Sequence, residues 1–262
     1  MTFQPFVPTG GLAGWRFLQN TISAQREAHG QGAVLQRDLD YFAQNIGKID
    51  TAEQLVGDYR LLSVALTAFG LQDDINSKFL IRKVLEEGTI ETDALANRLS
   101  DKRYRDLSRT FGFGDFPVPS TKISDFADRI AERYKSRSFE IDLGKTNDSM
   151  RLALNAEREL VSIGNDGTSN RTKWFAIMGT APLRKVMETA LNLPTAFATL
   201  PIDKQLETFL ERSEAIFGTS DVRELGEPKL LGRILDRYTA LDGLSNGTTA
   251  PSSPALVLLR GF

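Results

Sequence analysis

Apolar residues recur at steps of three and four along most of this chain. Trp15, Leu18 and Ile22 begin the series, and beyond a weak spot at Gly30 and Gly32 it continues through Leu35, Leu39, Phe42 and Ile46. That spacing puts the side chains on one helical face and predicts one long helix or two collinear ones, ended by Gly47. Ahead of it, Pro5, Pro8, Gly10, Gly11 and Gly14 are poor helix material. Residues 1–14 therefore read as an extended or flexible arm, with order expected from about Trp15.

The chain restarts at "DTAEQ", where Thr51 and Gln54 fit a capping box. Each side chain there satisfies a backbone amide that the helix start leaves without a partner. A helix from Thr51 to Phe69 follows, with Leu55, Tyr59, Leu62, Leu66 and Phe69 on one stripe and Leu61, Val64, Ala65 and Ala68 widening it. A face that broad needs cover on more than one side, so this segment is expected to be the central helix. Gly70 stands where a left-handed residue closes a helix, and Leu71 can fold back on the last turn. Asn76 or Ser77 then caps a helix through "KFLIRKVLEE", closed by Gly88.

Further helices are read at "TDALANRLSDKRYRDLSRTFGFG" (one or two), "DFADRIAERYKSRSFEIDL", "MRLALNAERELVSIG", "KWFAIMGTAPLRKVMETALNL", "DKQLETFLERSEAIFG" with Asp203 as cap, and "DVRELGEPKLLGRILDRYTAL". The alternation of Phe139, Ile141 and Leu143 leaves a strand open at 139–143, although helix is favoured. Pro117 and Pro119 mark the best internal boundary, at 115–120, for a division into two packed lobes. "NDGTSNRT" is a loop. Residues 15–244 make up the helical domain. From 245 to 262 the chain reads as a polar, Gly/Thr/Ser/Pro-rich linker tipped by "ALVLLRGF". The expected fold is an all-α globular domain of about eight to ten helices.

Composition narrows the chemistry. In 262 residues, 32 basic side chains nearly cancel 34 acidic ones, so no global positive field gathers nucleic acid or anionic lipid. No run approaches the ~20 apolar residues of a membrane helix, and "MTFQPFVPTGGLAGW" lacks the features of a secretory leader. Neither nucleic acid nor membrane insertion is expected, and synthesis is expected in the cytoplasm. There is no cysteine, which removes disulfides, thiolate nucleophiles and cysteine metal sites.

Candidate chemistry is sparse. His29 is the only histidine and reads as a surface residue at a helix break rather than an acid-base group. A lone histidine without cysteine supports neither a metal cluster nor a catalytic triad. "FEIDLGKT" has Phe139 where a phosphate loop needs glycine, and "FGFGDF" is a turn rather than a dinucleotide motif. Asp73 and Asp74 read as helix capping before paired carboxylates. Lys102, Arg103, Arg105 and Arg109, interrupted by Asp101 and Asp106, read as a solvated face. No catalytic, cofactor or metal site is assigned, and a carboxylate-dependent cytosolic enzyme stays as the alternative to an interaction protein.

Two stretches carry a resemblance. "RDLDYFAQNIGKIDTAEQLVGDYRLLSVALTAFGLQDDINSKFLIRKVLEEG", followed by "ANRLSDKRYRDL", and later "LRKVMETALNLPTAFATLPIDKQLETF" resemble an uncharacterised bacterial domain family whose members are often encoded among flagellar genes. The resemblance runs from about Leu12 to about Tyr238. It implies a helical protein connected with the flagellum, its partners other flagellar proteins or further copies of itself. A rod- or hook-like part exported without a cleaved signal, an assembly factor and a non-exported regulatory adaptor are the forms this takes. The partner contacts are expected at the two ends, through Phe3, Phe6 and Trp15 and through Leu256, Val257, Leu258, Leu259 and Phe262, with docking of these ends in a groove on the protein's own body as the alternative.

Overall fold

The structure, a computed structural model, describes residues 3–99 and 101–247. Among them are fourteen α-helices and no strand. The all-α expectation holds, and the count exceeds eight to ten because expected helices are broken, at Asp58, at Thr180 and at Gly226–Glu227. The chain divides into two compact units, one holding residues 3–5 and 22–142, the other 6–21 and 143–247.

The first break falls where the glycines predicted it. Helix α1 covers Gly11–Gly30 and α2 covers Ala33–Asn45, followed by a 3₁₀ turn at Ile46–Lys48. The helix thus starts four residues before Trp15, and Gly14 lies inside it. The capping box is present, with Thr51 accepting from the Gln54 amide and Gln54 from the Thr51 amide. The helix expected from Thr51 to Phe69 is two, α3 (Ala52–Gly57) and α4 (Tyr59–Ala68). Asp58 separates them in an extended conformation, its carboxylate accepting from the Arg60 and Leu61 amides to start α4 afresh. This break turns Tyr59 out of the stripe, to 61% exposure, whereas Leu61, Leu62, Val64, Ala65 and Leu66 are all buried. The wide apolar face is a core face.

Helix α4 ends as its glycine dictates. Gly70 adopts φ +73°, the Leu71 amide reaches the Leu66 carbonyl at 2.8 Å, and the Gly70 amide reaches that of Thr67 at 3.0 Å. This double closure satisfies carbonyls the last turn would leave bare, and Leu71 is buried. Helices α5 (Lys78–Glu87), α6 (Leu95–Arg98) and α7 (Arg103–Phe111) follow. In the first unit α2 packs on α4, α3 on α4 and α5, and α5 on α6 and α7. Phe42, Leu62, Leu66, Ile81, Phe111 and Phe126 meet in one core.

The prolines at 117 and 119 are not a lobe boundary. Beyond them Thr121 donates to the Ile49 carbonyl at 2.7 Å and Lys122 to that of Gly47 at 2.9 Å, so this loop is tied into the first unit. The division falls at 142/143 instead, inside α8 (Phe126–Gly144). That helix runs unbroken through 139–143, with Phe139 and Leu143 buried, so the strand alternative does not form.

In the second unit α9 (Asp148–Gly164) is the hub, capped by Asn147. Helices α10 (Asn170–Gly179), α11 (Ala181–Ala190), α13 (Val222–Leu225) and α14 (Pro228–Gly247) pack against it, and α11 also packs on α14. Helix α12 (Ile202–Phe217) brings Phe209 between Trp174 and Phe197, at ring distances of 5.5 and 5.0 Å. Asp203 lies in the first turn of α12 while Pro201 holds the cap position. Helix α14 continues to Gly247, three residues into the expected tail.

Candidate interaction surfaces

Two loops of the first unit are joined by one carboxylate. Gly88 closes α5 with φ +72°, and Asp115 folds over it to accept from the amides of Thr89 and Ile90 through Oδ1 and from the Thr89 hydroxyl, at 2.9 Å, through Oδ2. Glycine is required at 88 because a side chain would collide with this carboxylate. Around this hub Ile90, Phe116 and Val118 stand 65%, 55% and 65% exposed, while Pro119 beneath is buried. These exposed apolar side chains are a candidate contact platform, because ordering side chains that stand on tied backbone sacrifices little further backbone entropy. Phe79, at the start of α5, is more exposed still.

A second surface lies on the other unit. The last turn of α12, with Ile216 and Phe217, and the middle of α14, with Arg233, Asp236, Arg237, Ala240 and Leu241, line a groove of about 440 Å³. Its polar rim is braced. Arg233 donates to the Ile216 carbonyl at 3.2 Å, Arg237 to that of Ala190 at 2.6 Å, and Arg16 pairs with Asp236. Asp236 Oδ1 is buried with no hydrogen-bond partner among the described residues. A third, polar cleft of about 420 Å³ in the first unit is lined by Arg26, Glu27, Gln36, Glu132 and Lys135 among others. Lys135 is already paired with Glu132 at 2.8 Å.

Of the end residues proposed for partner contact, Phe3 is half-buried and Phe6 is 61% exposed, edge-on to Phe17 at 6.3 Å. Trp15 is buried in the second unit. It is 1% exposed, because α1 has already begun and carries it inward. Leu256, Val257, Leu258, Leu259 and Phe262 lie outside the described residues.

The chemical candidates resolve into structural contacts. His29 is buried rather than superficial. Its Nε2 stands 2.9 Å from Asp142 Oδ2, its ring lies edge-on to Phe139, and its Nδ1 meets no partner among the described residues. Asp73 and Asp74 form a 3₁₀ turn rather than a side-chain cap. Asp74 accepts from Tyr104, whose hydroxyl is pushed well above its ordinary value by burial and by that carboxylate. In the basic cluster Lys102 donates to the Asn97 and Leu99 carbonyls at the end of α6, and Arg103 to the Gly70 carbonyl at the end of α4. Cations at helix C-termini match the negative end of the dipole. Arg105 and Arg109 are exposed. No group of three His, Cys, Asp or Glu among the described residues is arranged to hold a metal, and none of the described helices is long and apolar enough to cross a membrane.

Ile90, Phe116 and Val118 escaped the sequence reading, although a signal was present. In "DFPVPS" two apolar residues alternate with prolines, where no helical stripe can claim them.

The fold is all-α, in two helical units, with exposed apolar side chains at Ile90, Phe116 and Val118. The chain belongs to the family described as "Protein of unknown function (DUF1217)", which matches residues 68–231. That span contains all of the second signature stretch and the later part of the first. Among solved structures, the X-ray crystal structure of protein AGR_C_984 from Agrobacterium tumefaciens is similar. It shares 25% identity and a TM-score of 0.75 over 93% of this chain and 99% of that one. A comparison with curated proteins gave no significant match.

Proposed function

We propose that this chain is a flagellum-associated structural or assembly protein that acts by protein-protein contact, in its sharpest form a rod- or hook-like part exported without a cleaved signal. The flagellar element comes from the resemblance of its two signature stretches to a family encoded among flagellar genes. The single observation supporting contact as its mode of action is the platform of Ile90, Phe116 and Val118, held outward by the Asp115 hub. Exposed apolar side chains grouped on a surface are a usual mark of an interaction site.

Two measurements test this. Deletion of the gene should abolish motility or filament assembly without a metabolic defect, and the protein should be recovered with purified hook-basal bodies. The double variant Phe116→Asp/Val118→Asp should keep its melting temperature and lose that recovery. Normal flagella in the deletion strain would refute the proposal. A motility defect with protein found only in the cytosol would replace the exported part by a regulatory adaptor, and a metabolic defect with intact flagella would point to a carboxylate-dependent enzyme.

A further inference from the structure

The groove on the second unit is floored by Ile216, Phe217, Ala240 and Leu241, and its rim carries Arg233 and Arg237. At about 440 Å³ it has room for a few side chains but not for a whole helix. We propose that its occupant is the platform of a second copy of this chain, with Phe116 and Val118 on the floor and the turn after Ile90 against the arginines. This deepens the reading of the platform as a contact surface, on which it rests, by naming what the platform meets.

The two patches are complementary in charge. Ile90 is followed by Glu91 and Asp93, both exposed and, among the described residues, in no ion pair. Glu86 and Glu87, just before them, are paired with Arg82 and Lys83 and so are already answered. Arg233 and Arg237 also form no ion pair among the described residues. Each is bonded to a backbone carbonyl, of Ile216 and Ala190 respectively, which fixes the guanidinium and leaves further N–H groups to donate. Two carboxylates beside an apolar knob thus match two guanidiniums beside an apolar socket, and such pairs set register and exclude wrong partners.

Burial of the apolar side chains supplies the affinity. The Asp115 carboxylate ties the knob's two loops together, and the socket is built on helices α12 and α14, so neither side has backbone to order on association. A platform meeting a second platform would instead set Glu91 and Asp93 against their own copies, like charge against like. Because knob and socket are different patches, one on each unit, the contact is heterologous. Every copy then offers one of each, and association continues head to tail into a ring or an open chain rather than stopping at a two-fold dimer.

Sedimentation of the purified full-length protein from about 1 to about 100 μM should show the mass growing past that of a dimer. Phe116→Asp/Val118→Asp should keep the melting temperature and weaken association by about a hundredfold or more, since burying each side chain is worth more than the free energy of one decade. Ala240→Glu, which fills the floor and sets a carboxylate against Glu91, should do the same. Arg233→Glu, at an exposed position, repeats the test without touching the floor. Equal amounts of the knob variant and either socket variant, each monomeric alone, should form dimers and nothing larger, because one intact knob and one intact socket remain between them. A wild-type protein that is monomeric throughout, association that survives the knob variant or both socket variants, or a mixture that stays monomeric would overturn the proposal. A monomer still recovered with hook-basal bodies would remove the second copy and leave the platform's role in flagellar contact standing.

Discussion

Gly11 and Gly243 meet backbone to backbone where α1 begins and α14 nears its end. A Cβ on Gly243 would lie 2.7 Å from the Gly11 Cα, while Arg16, further along α1, pairs with Asp236, further back on α14. The two helices thus run antiparallel here, and the crossing is this close because Gly243 has no side chain. Gly11 also has φ +67°, which a substituted residue resists.

A test with opposite signs follows. In α14, Gly243→Ala gains up to about 1 kcal/mol of helix propensity. It also pushes a methyl into backbone that cannot swing aside, at a cost of about 1–3 kcal/mol. Net destabilisation is expected. Gly232, in the same helix, has nothing within 4 Å of a Cβ, so Gly232→Ala should stabilise by about 0.4–1 kcal/mol. Urea denaturation of both variants checks this, and shifts of the same sign would contradict the close crossing.

Leu62 and Leu66 are both fully buried in the first unit's core. Truncating either to alanine should cost about 2–5 kcal/mol through lost burial and the cavity left behind. An unchanged melting temperature would mean this face is not core.

The Asp115 hub and the side chains around it should respond differently. Asp115→Ala leaves the Thr89 and Ile90 amides without their acceptor, at a cost of about 1–3 kcal/mol if water does not replace it. Phe116→Asp and Val118→Asp, at sites more than half exposed, should shift stability by no more than about 0.5 kcal/mol. Chemical denaturation separates the two classes, and a large loss from Val118→Asp would make that residue part of the core.

Alkaline pH should unfold the protein through its tyrosines. Burial and the Asp38 carboxylate push the Tyr134 hydroxyl up to about 12, and burial with Asp242 raises Tyr238 further. A folded value raised above the unfolded 10 favours the neutral phenol in the native state. The stability this represents is whole below pH ~10 and is lost as pH rises through the folded values. Urea midpoints should therefore fall from pH 10 upward, and Tyr134→Phe should lessen that fall. A flat profile from pH 9 to 12 would contradict these environments.

Much of the helical framework was legible in the chain because its signals are local. A capping box needs residues three apart, a stripe needs one or two turns, and the left-handed Gly70 acts on the turn before it. The split of 51–69 was also written locally, in the Gly57-Asp58 pair, but the continuous apolar spacing across it masked the break. The platform was half legible, since the apolar residues between Pro117 and Pro119 had no place on a helical stripe.

Tertiary structure decided what depends on residues far apart in the chain. His29 is buried because Asp142 and Phe139 come to it, and Ile90 is held outward because Asp115 takes its amide. The prolines stop a helix, yet the loop they lie in stays with the first unit because Thr121 and Lys122 bond to Ile49 and Gly47. Local pattern determines where a helix can start and stop, since those hydrogen bonds close within a turn. Which faces meet, and where one unit gives way to the next, is determined by contacts whose partners are separated by tens of residues, and no spacing along the chain records them.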